Sequence, residues 1–72
     1  MKMYKEVDTL STDQLEPGDI IRLPDGDIVQ IFKVLHHLNS VDVSYMDEYL
    51  DEEIVVTIDD ETRIHLFVYD DE

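Results

Sequence analysis

Carboxylates dominate the side chains able to do chemistry. The 72 residues hold 19 Asp and Glu against five Lys and Arg, a formal net charge of −14. The densest run is Asp47-Glu48-Tyr49-Leu50-Asp51-Glu52-Glu53, followed by Asp59-Asp60-Glu61 and a terminal Asp70-Asp71-Glu72. Such runs raise calcium first. A helix–loop–helix calcium loop needs acids at positions 1, 3 and 5, glycine at 6 and glutamate at 12. Counted from Asp47, Tyr49 stands third, Glu52 sixth and Ile58 twelfth, so the pattern fails. Weak divalent binding by Asp51, Glu52 and Glu53 would be incidental. Paired carboxylates for glycoside hydrolysis need a cleft, which a domain this short rarely offers.

The other reactive groups are sparse. His36 and His37 are adjacent, so on an extended chain they point to opposite faces and cannot share one ion. His65 could join them only through a tertiary contact, and without cysteine no thiolate can complete a zinc site. Gly18 and Gly26 stand alone, so no glycine-rich loop is present to cradle phosphate. Ser11 reads as a helix cap, and Ser40 and Ser44 fall in a loop and on a strand, none beside an oriented base. These residues predict a protein that is not an enzyme and uses no metal or cofactor.

What remains is charge. Its placement is uneven: residues 1–36 carry a net of −3 and residues 37–72 a net of −11. A solubilising surface needs far less. A folded domain of this length has a radius of gyration near 11 Å and a diameter of roughly 30 Å. Duplex DNA carries one charge per roughly 1.7 Å, hence about 17 phosphates over that length. The protein's charge is comparable, so it would compete for a cleft lined with Lys and Arg, while nucleic acid itself would be repelled. The candidate partner-binding acids are Asp47, Glu48, Asp51, Glu52, Glu53, Asp59, Asp60 and Glu61, with Tyr49 and Leu50 as candidate anchors inside the first run.

The elements that must position these acids are short strands. Hydrophobic residues make up 43% of the chain and are patterned, which argues for a fold rather than disorder. Ser11-Thr12-Asp13-Gln14 matches a capping box, and Pro17 limits any helix there to about one turn. Glu16-Pro17-Gly18-Asp19 fits a type II turn, and Pro24-Asp25-Gly26-Asp27 a hairpin turn. Strands are predicted over residues 20–23, 28–35, 41–46, 54–58 and 64–69. The second is nearly all apolar and wants cover on both faces, as in a central or strongly curved strand. The expected fold is a single all-β domain over residues 1–72: a five-stranded, strongly bent antiparallel sheet or small barrel, preceded by an N-terminal segment holding at most one helical turn.

A domain this short buries only about 60% of its unfolded surface. Apolar residues are therefore left over on second faces: Val29, Ile31, Val55, Phe67 and Tyr69. Either the N-terminal Met3, Tyr4, Val7 and Leu10 form a lid, or a homodimer covers the remainder. The alternative function is an interaction module that docks a peptide or larger subunit through Val55, Phe67 and Tyr69, with the acids serving solubility. No segment reaches the roughly 18 apolar residues of a membrane span, and the first residues lack the apolar run of a signal peptide. The expected location is the cytoplasm.

Two resemblances add to this. The stretch Leu15-Glu16-Pro17-Gly18-Asp19-Ile20-Ile21-Arg22-Leu23 resembles the opening of many small Src-homology-3-like barrels, which implies a fold and carries no activity. In size, acidity and β content the whole chain resembles the small DNA-mimic proteins of bacteriophages. Members of that group disable restriction enzymes, uracil-DNA glycosylase, CRISPR effectors, RNA polymerase and histone-like nucleoid proteins such as HU. The resemblance implies an inhibitor of a host's basic DNA-binding protein, with a histone-like protein as the expected partner. It lies in charge and size rather than in a motif, so it assigns no residue.

Overall fold

A computed structural model of the chain describes residues 3–70; Asp71 and Glu72 of the terminal acidic cluster lie outside them. Seven strands follow one another: β1 (Met3–Leu10), β2 (Ile20–Arg22), β3 (Ile28–Gln30), β4 (Lys33–His36), β5 (Ser40–Asp47), β6 (Glu52–Asp59) and β7 (Ile64–Asp70). A single 3-10 turn, Thr12–Gln14, is the only helical element among the described residues. All strand pairs are antiparallel. They form a four-stranded sheet in the order β1-β7-β2-β3 and a three-stranded sheet in the order β4-β5-β6. The all-β class is as expected, but there are seven strands rather than five, and two open sheets replace a closed barrel.

Two features account for the extra strands. The apolar stretch 28–35 is broken at Ile31 and Phe32, where the chain passes from one sheet to the other. Ile31 still pairs with the first sheet, its N–H on Asp19 O at 2.9 Å and its carbonyl taking the Gly18 N–H at 2.7 Å. Phe32 already belongs to the second, its N–H donating to Ser44 O at 2.9 Å. The N-terminal segment is a strand rather than a lid. It pairs with β7 from Met3 opposite Asp70 to Leu10 opposite Ile64, with a register shift between Glu6 and Asp8.

The turns are those the sequence calls for. Asp19 N–H reaches Glu16 O at 3.2 Å, and Gly18 takes φ +100°, open to glycine at little cost. Gly26, at φ +101°, closes the β2–β3 hairpin, where Gly26 N–H reaches Leu23 O and Leu23 N–H reaches Asp27 O. Gln14 turns its side-chain oxygen back to the Ser11 N–H at 3.0 Å, which ties down the start of the 3-10 turn.

The core lies between the two sheets. Ile21, Ile31 and Ile64 from the first side meet Val41, Val43 and Ile58 from the second, all at most 1% exposed. Leu15 and Leu23 close one cluster with them. The radius of gyration is 12.0 Å and the extents are 39 × 29 × 20 Å, a flatter body than a compact sphere of this length. No helix among the described residues is long and apolar enough to cross a membrane.

Candidate functional site

Residues 47–53 form the tip of the β5–β6 hairpin, where Asp47 faces Glu52 across the last pair of the ladder. Asp47 Oδ1 accepts the Tyr49 and Leu50 N–H groups at 2.8 and 3.0 Å, and its carbonyl accepts the Asp51 N–H at 2.8 Å. Asp is suited to this because its short side chain mimics a turn of backbone. Asp51 itself sits at φ +53°, a left-handed conformation that Asp tolerates better than most residues. The result is a fixed tip that holds Tyr49 98% exposed and Leu50 62% exposed. Asp51, Glu52 and Glu53 are exposed beside them. Glu53 lies 3.5 Å from Lys33 Nζ, a solvent-exposed ion pair that adds little stability.

The second cluster occupies the β6–β7 connection. Asp59 Oδ1 accepts the Glu61 N–H at 2.8 Å, and the Asp59 carbonyl accepts the Thr62 N–H at 3.0 Å. Buried Thr12 donates to Asp60 O at 3.3 Å, and Asp60 N–H donates to Asn39 O at 3.1 Å, pinning the turn to the 3-10 segment and the β4–β5 loop. The two clusters therefore stand at opposite ends of β6. From the Asp47–Glu52 pair to the Ser40–Asp59 pair is seven residue steps, about 24 Å at the antiparallel rise per residue. The structure does not bring the eight candidate acids into one patch; it holds them as two groups joined by a strand.

The fold brings a third group to the hairpin tip. Burial raises the Tyr45 phenol above its ordinary pKa, and the charges of Asp25, Asp27 and Asp47 raise it further. Asp27 of the β2–β3 turn and Asp47 of the β5–β6 tip border the same hollow as this ring. Between them runs an open cleft of about 1030 Å³, bordered by β3. Tyr4, Tyr45, Tyr49 and Tyr69 all line it, with Asp27, Asp47 and Glu48. These are all the tyrosines of the chain. Tyr4 and Tyr69 meet edge to face, with ring centroids 5.8 Å apart. Asp25, Asp27, Tyr4 and Tyr45 are not among the candidate partner-binding residues, and Tyr69 is expected only as part of an apolar second face. They lie on β1, β5, β7 and a short turn, and no linear spacing links them.

The expected second-face residues do not share one surface, although Phe67 and Tyr69 lie on the same side of β7. Ile31 is wholly in the core, and Val29 packs half-buried against it. Phe67, only 5% exposed, points to the other side of its sheet, where the Arg22 guanidinium lies 5.1 Å from its ring centre. Tyr69 borders the cleft, and Val55, 56% exposed, belongs to the other sheet.

The histidines are separate. His37 Nε2 lies 2.8 Å from Asp42 Oδ2, and Thr57 Oγ1 donates to Asp42 Oδ1 at 2.7 Å. The Thr57 bond first and the His37 bond second hold the Asp42 carboxyl below its ordinary pKa. His65 Nδ1 lies 3.3 Å from Glu6 Oε2 but without hydrogen-bond geometry. No group of three or more metal-ligating side chains occurs among the described residues.

No protein-family model, curated protein or solved structure matches the chain. The candidate surface therefore rests on its own geometry: two acidic turns about 24 Å apart along β6, and an aromatic, acid-rimmed cleft at one of them.

Proposed function

We propose that this protein is a non-enzymatic DNA mimic, which binds the positively charged nucleic-acid-binding surface of a host protein and keeps DNA from it. The supporting observation is the spacing of the two acidic turns at the ends of β6. Duplex DNA advances 3.4 Å per base step, so 24 Å corresponds to about seven steps of a phosphate strand. A charge of −14 along a 39 Å body is about one charge per 2.8 Å, more than half the linear density of duplex DNA. Asp47 and Asp59 hold the turns in shape, while Asp51, Glu52, Asp60 and Glu61 are exposed. A histone-like nucleoid protein is the best partner, being small, basic and bound to DNA mainly through phosphates. Its site of action would be the host cytoplasm, and no direct nucleic-acid or membrane binding is proposed.

Competition tests the reading. The protein should retain a histone-like protein, and added duplex should displace it. Replacing Asp51, Glu52 and Glu53 by Lys should weaken that binding and flatten its dependence on salt. Unchanged affinity and salt slope would remove the hairpin tip from the interface.

A second reading is favoured by one observation. Leu35, Met46 and Val55 project from the outer face of the three-stranded sheet and are about half exposed. A module docking through this face, or a homodimer formed on it, would use the acids for solubility. Its partner would not be displaced by duplex.

A further inference from the structure

We propose that the tyrosine-lined cleft beside β3 grips an arginine side chain on an extended segment of the partner protein. The inference rests on the reading above, that the partner is basic, and adds a side-chain-specific contact to it. Charge alone would need acids at the surface and nothing more. Here all four tyrosines converge on one cleft from β1, β5, the hairpin tip and β7. Three of them are held in the open: Tyr4 at 40%, Tyr69 at 48% and Tyr49 at 98% exposure. Rigid aromatic rings left exposed on a fixed scaffold are the usual anchors of a protein interface.

The chemistry of the occupant follows from what surrounds the rings. Asp27 and Asp47 stand on the cleft with them, and their charge is felt at the Tyr45 phenol. None of Lys5, Arg22, Lys33 and Arg63, the basic residues among those described, lines the cleft. An aromatic wall with carboxylates and no cation of its own repels phosphate and attracts a cation. A guanidinium suits both components, because it stacks flat on an aromatic face while its fork of N–H donors meets a carboxylate. An ammonium group has no flat face to stack. β3 is the edge strand of its sheet and borders the cleft along its length. An extended segment lying there would meet its unpaired backbone edge as well. The cleft's volume is ample for one side chain and its neighbours.

The protein supplies its own probe. It has no tryptophan, so its ultraviolet emission comes from the four tyrosines, all of which line the cleft. We would titrate the full chain with the blocked peptide Ala-Arg-Ala-Arg-Ala-Arg, with its lysine counterpart, and with a citrulline version that keeps the shape and loses the charge. The arginine peptide should change the emission saturably, the lysine peptide should bind several-fold more weakly, and the citrulline peptide should have no effect. The paired change Asp27→Asn and Asp47→Asn should weaken arginine-peptide binding about tenfold, as should Tyr49→Ala. Asn at 47 keeps the oxygen that accepts the Tyr49 and Leu50 N–H groups, and Tyr49 is too exposed for its loss to unfold the chain. Removing the same two charges at the far end of β6, by Asp59→Asn and Asp60→Asn, should weaken binding less than about twofold, since a Debye length at physiological salt is ~8 Å.

Equal losses from the two charge-matched pairs would overturn the proposal, as would peptide binding without any change in tyrosine emission. Equal affinity for the lysine peptide would overturn the guanidinium assignment. Each of these outcomes leaves the acidic-inhibitor reading standing. That reading fails separately, if no basic DNA-binding protein is bound in competition with duplex.

Discussion

Replacing Ile31 by Ala should cost about half the stability of this domain. Ile31 is 0% exposed and sits where the chain passes between the sheets, its backbone bonded to Gly18 and Asp19 and its side chain packed in the shared core. The substitution removes three buried carbons, about 2.4 kcal/mol of transfer free energy at ~0.8 kcal/mol each. A residual cavity adds about 1 kcal/mol at ~24 cal/mol per Å3 unless neighbours collapse into it. The loss of about 3.5 kcal/mol stands against a total of roughly 4–11 kcal/mol for a domain of this length. In urea, with a slope of about 1–3 kcal/mol/M, the midpoint should fall by about 1.2–3.5 M with the slope unchanged. Val55→Ala, on an exposed position of the other sheet, should stay within ~0.5 kcal/mol. The measurement should be repeated at two protein concentrations. A loss below about 1 kcal/mol at Ile31, or one that depends on concentration, would refute the placement of this residue in the core and return it to an interface between copies.

Three further outcomes follow from the turns and from Asp42. Gly26→Ala should destabilise the protein by about 1–2 kcal/mol in urea unfolding: a Cβ there meets no atom within 4 Å, so the cost is that of holding an L residue at φ +101°. Asp47→Ala should cost about 1 kcal/mol and speed hydrogen exchange at the Tyr49 and Leu50 amides, whereas Asp47→Asn should leave both nearly unchanged. The Asp42 carboxyl is held below its ordinary pKa by Thr57 and then His37. A carboxylate depressed in the folded state contributes stability that is present above its unfolded pKa and lost as pH falls through the folded value. Asp42→Asn should therefore shrink the difference in urea midpoint between pH 7 and pH values below about 4.

How much of the fold was legible follows from periodicity. Val41, Val43 and Ile58 alternate with polar residues along β5 and β6, and the burial follows that alternation except at Ser44, which is buried as well. β1 hid because its alternation changes phase. Tyr4 and Glu6 face Tyr69 and Phe67 on one side of β7, but after the shift Asp8 and Leu10 face Leu66 and Ile64 on the other. Residues of one parity thus serve both faces, and no period of two survives over the strand. The apolar stretch 28–35 concealed the opposite fact. Its residues are apolar on both parities because Ile31 is buried while the segment changes sheets, so a break between strands looks like one continuous strand.

The candidate site was legible in composition and not in arrangement. Counting acids finds residues 47–53 and 59–61, but only the strand between them, Glu52–Asp59, sets their separation. Counting also treats every carboxylate alike, although Asp47 and Asp59 are engaged by the backbone of their own turns and Glu53 by Lys33. The cleft could not be read at all, because Tyr4 and Tyr69 lie near opposite ends of the chain and meet only through the β1–β7 pairing. That pairing depends on the very strand whose alternation is broken at Val7. A surface acid is therefore a weak guide to a contact here. A tyrosine held open by two strand ends, beside carboxylates fixed by their turns, is a stronger one, because the fold has already met the entropic cost of placing it.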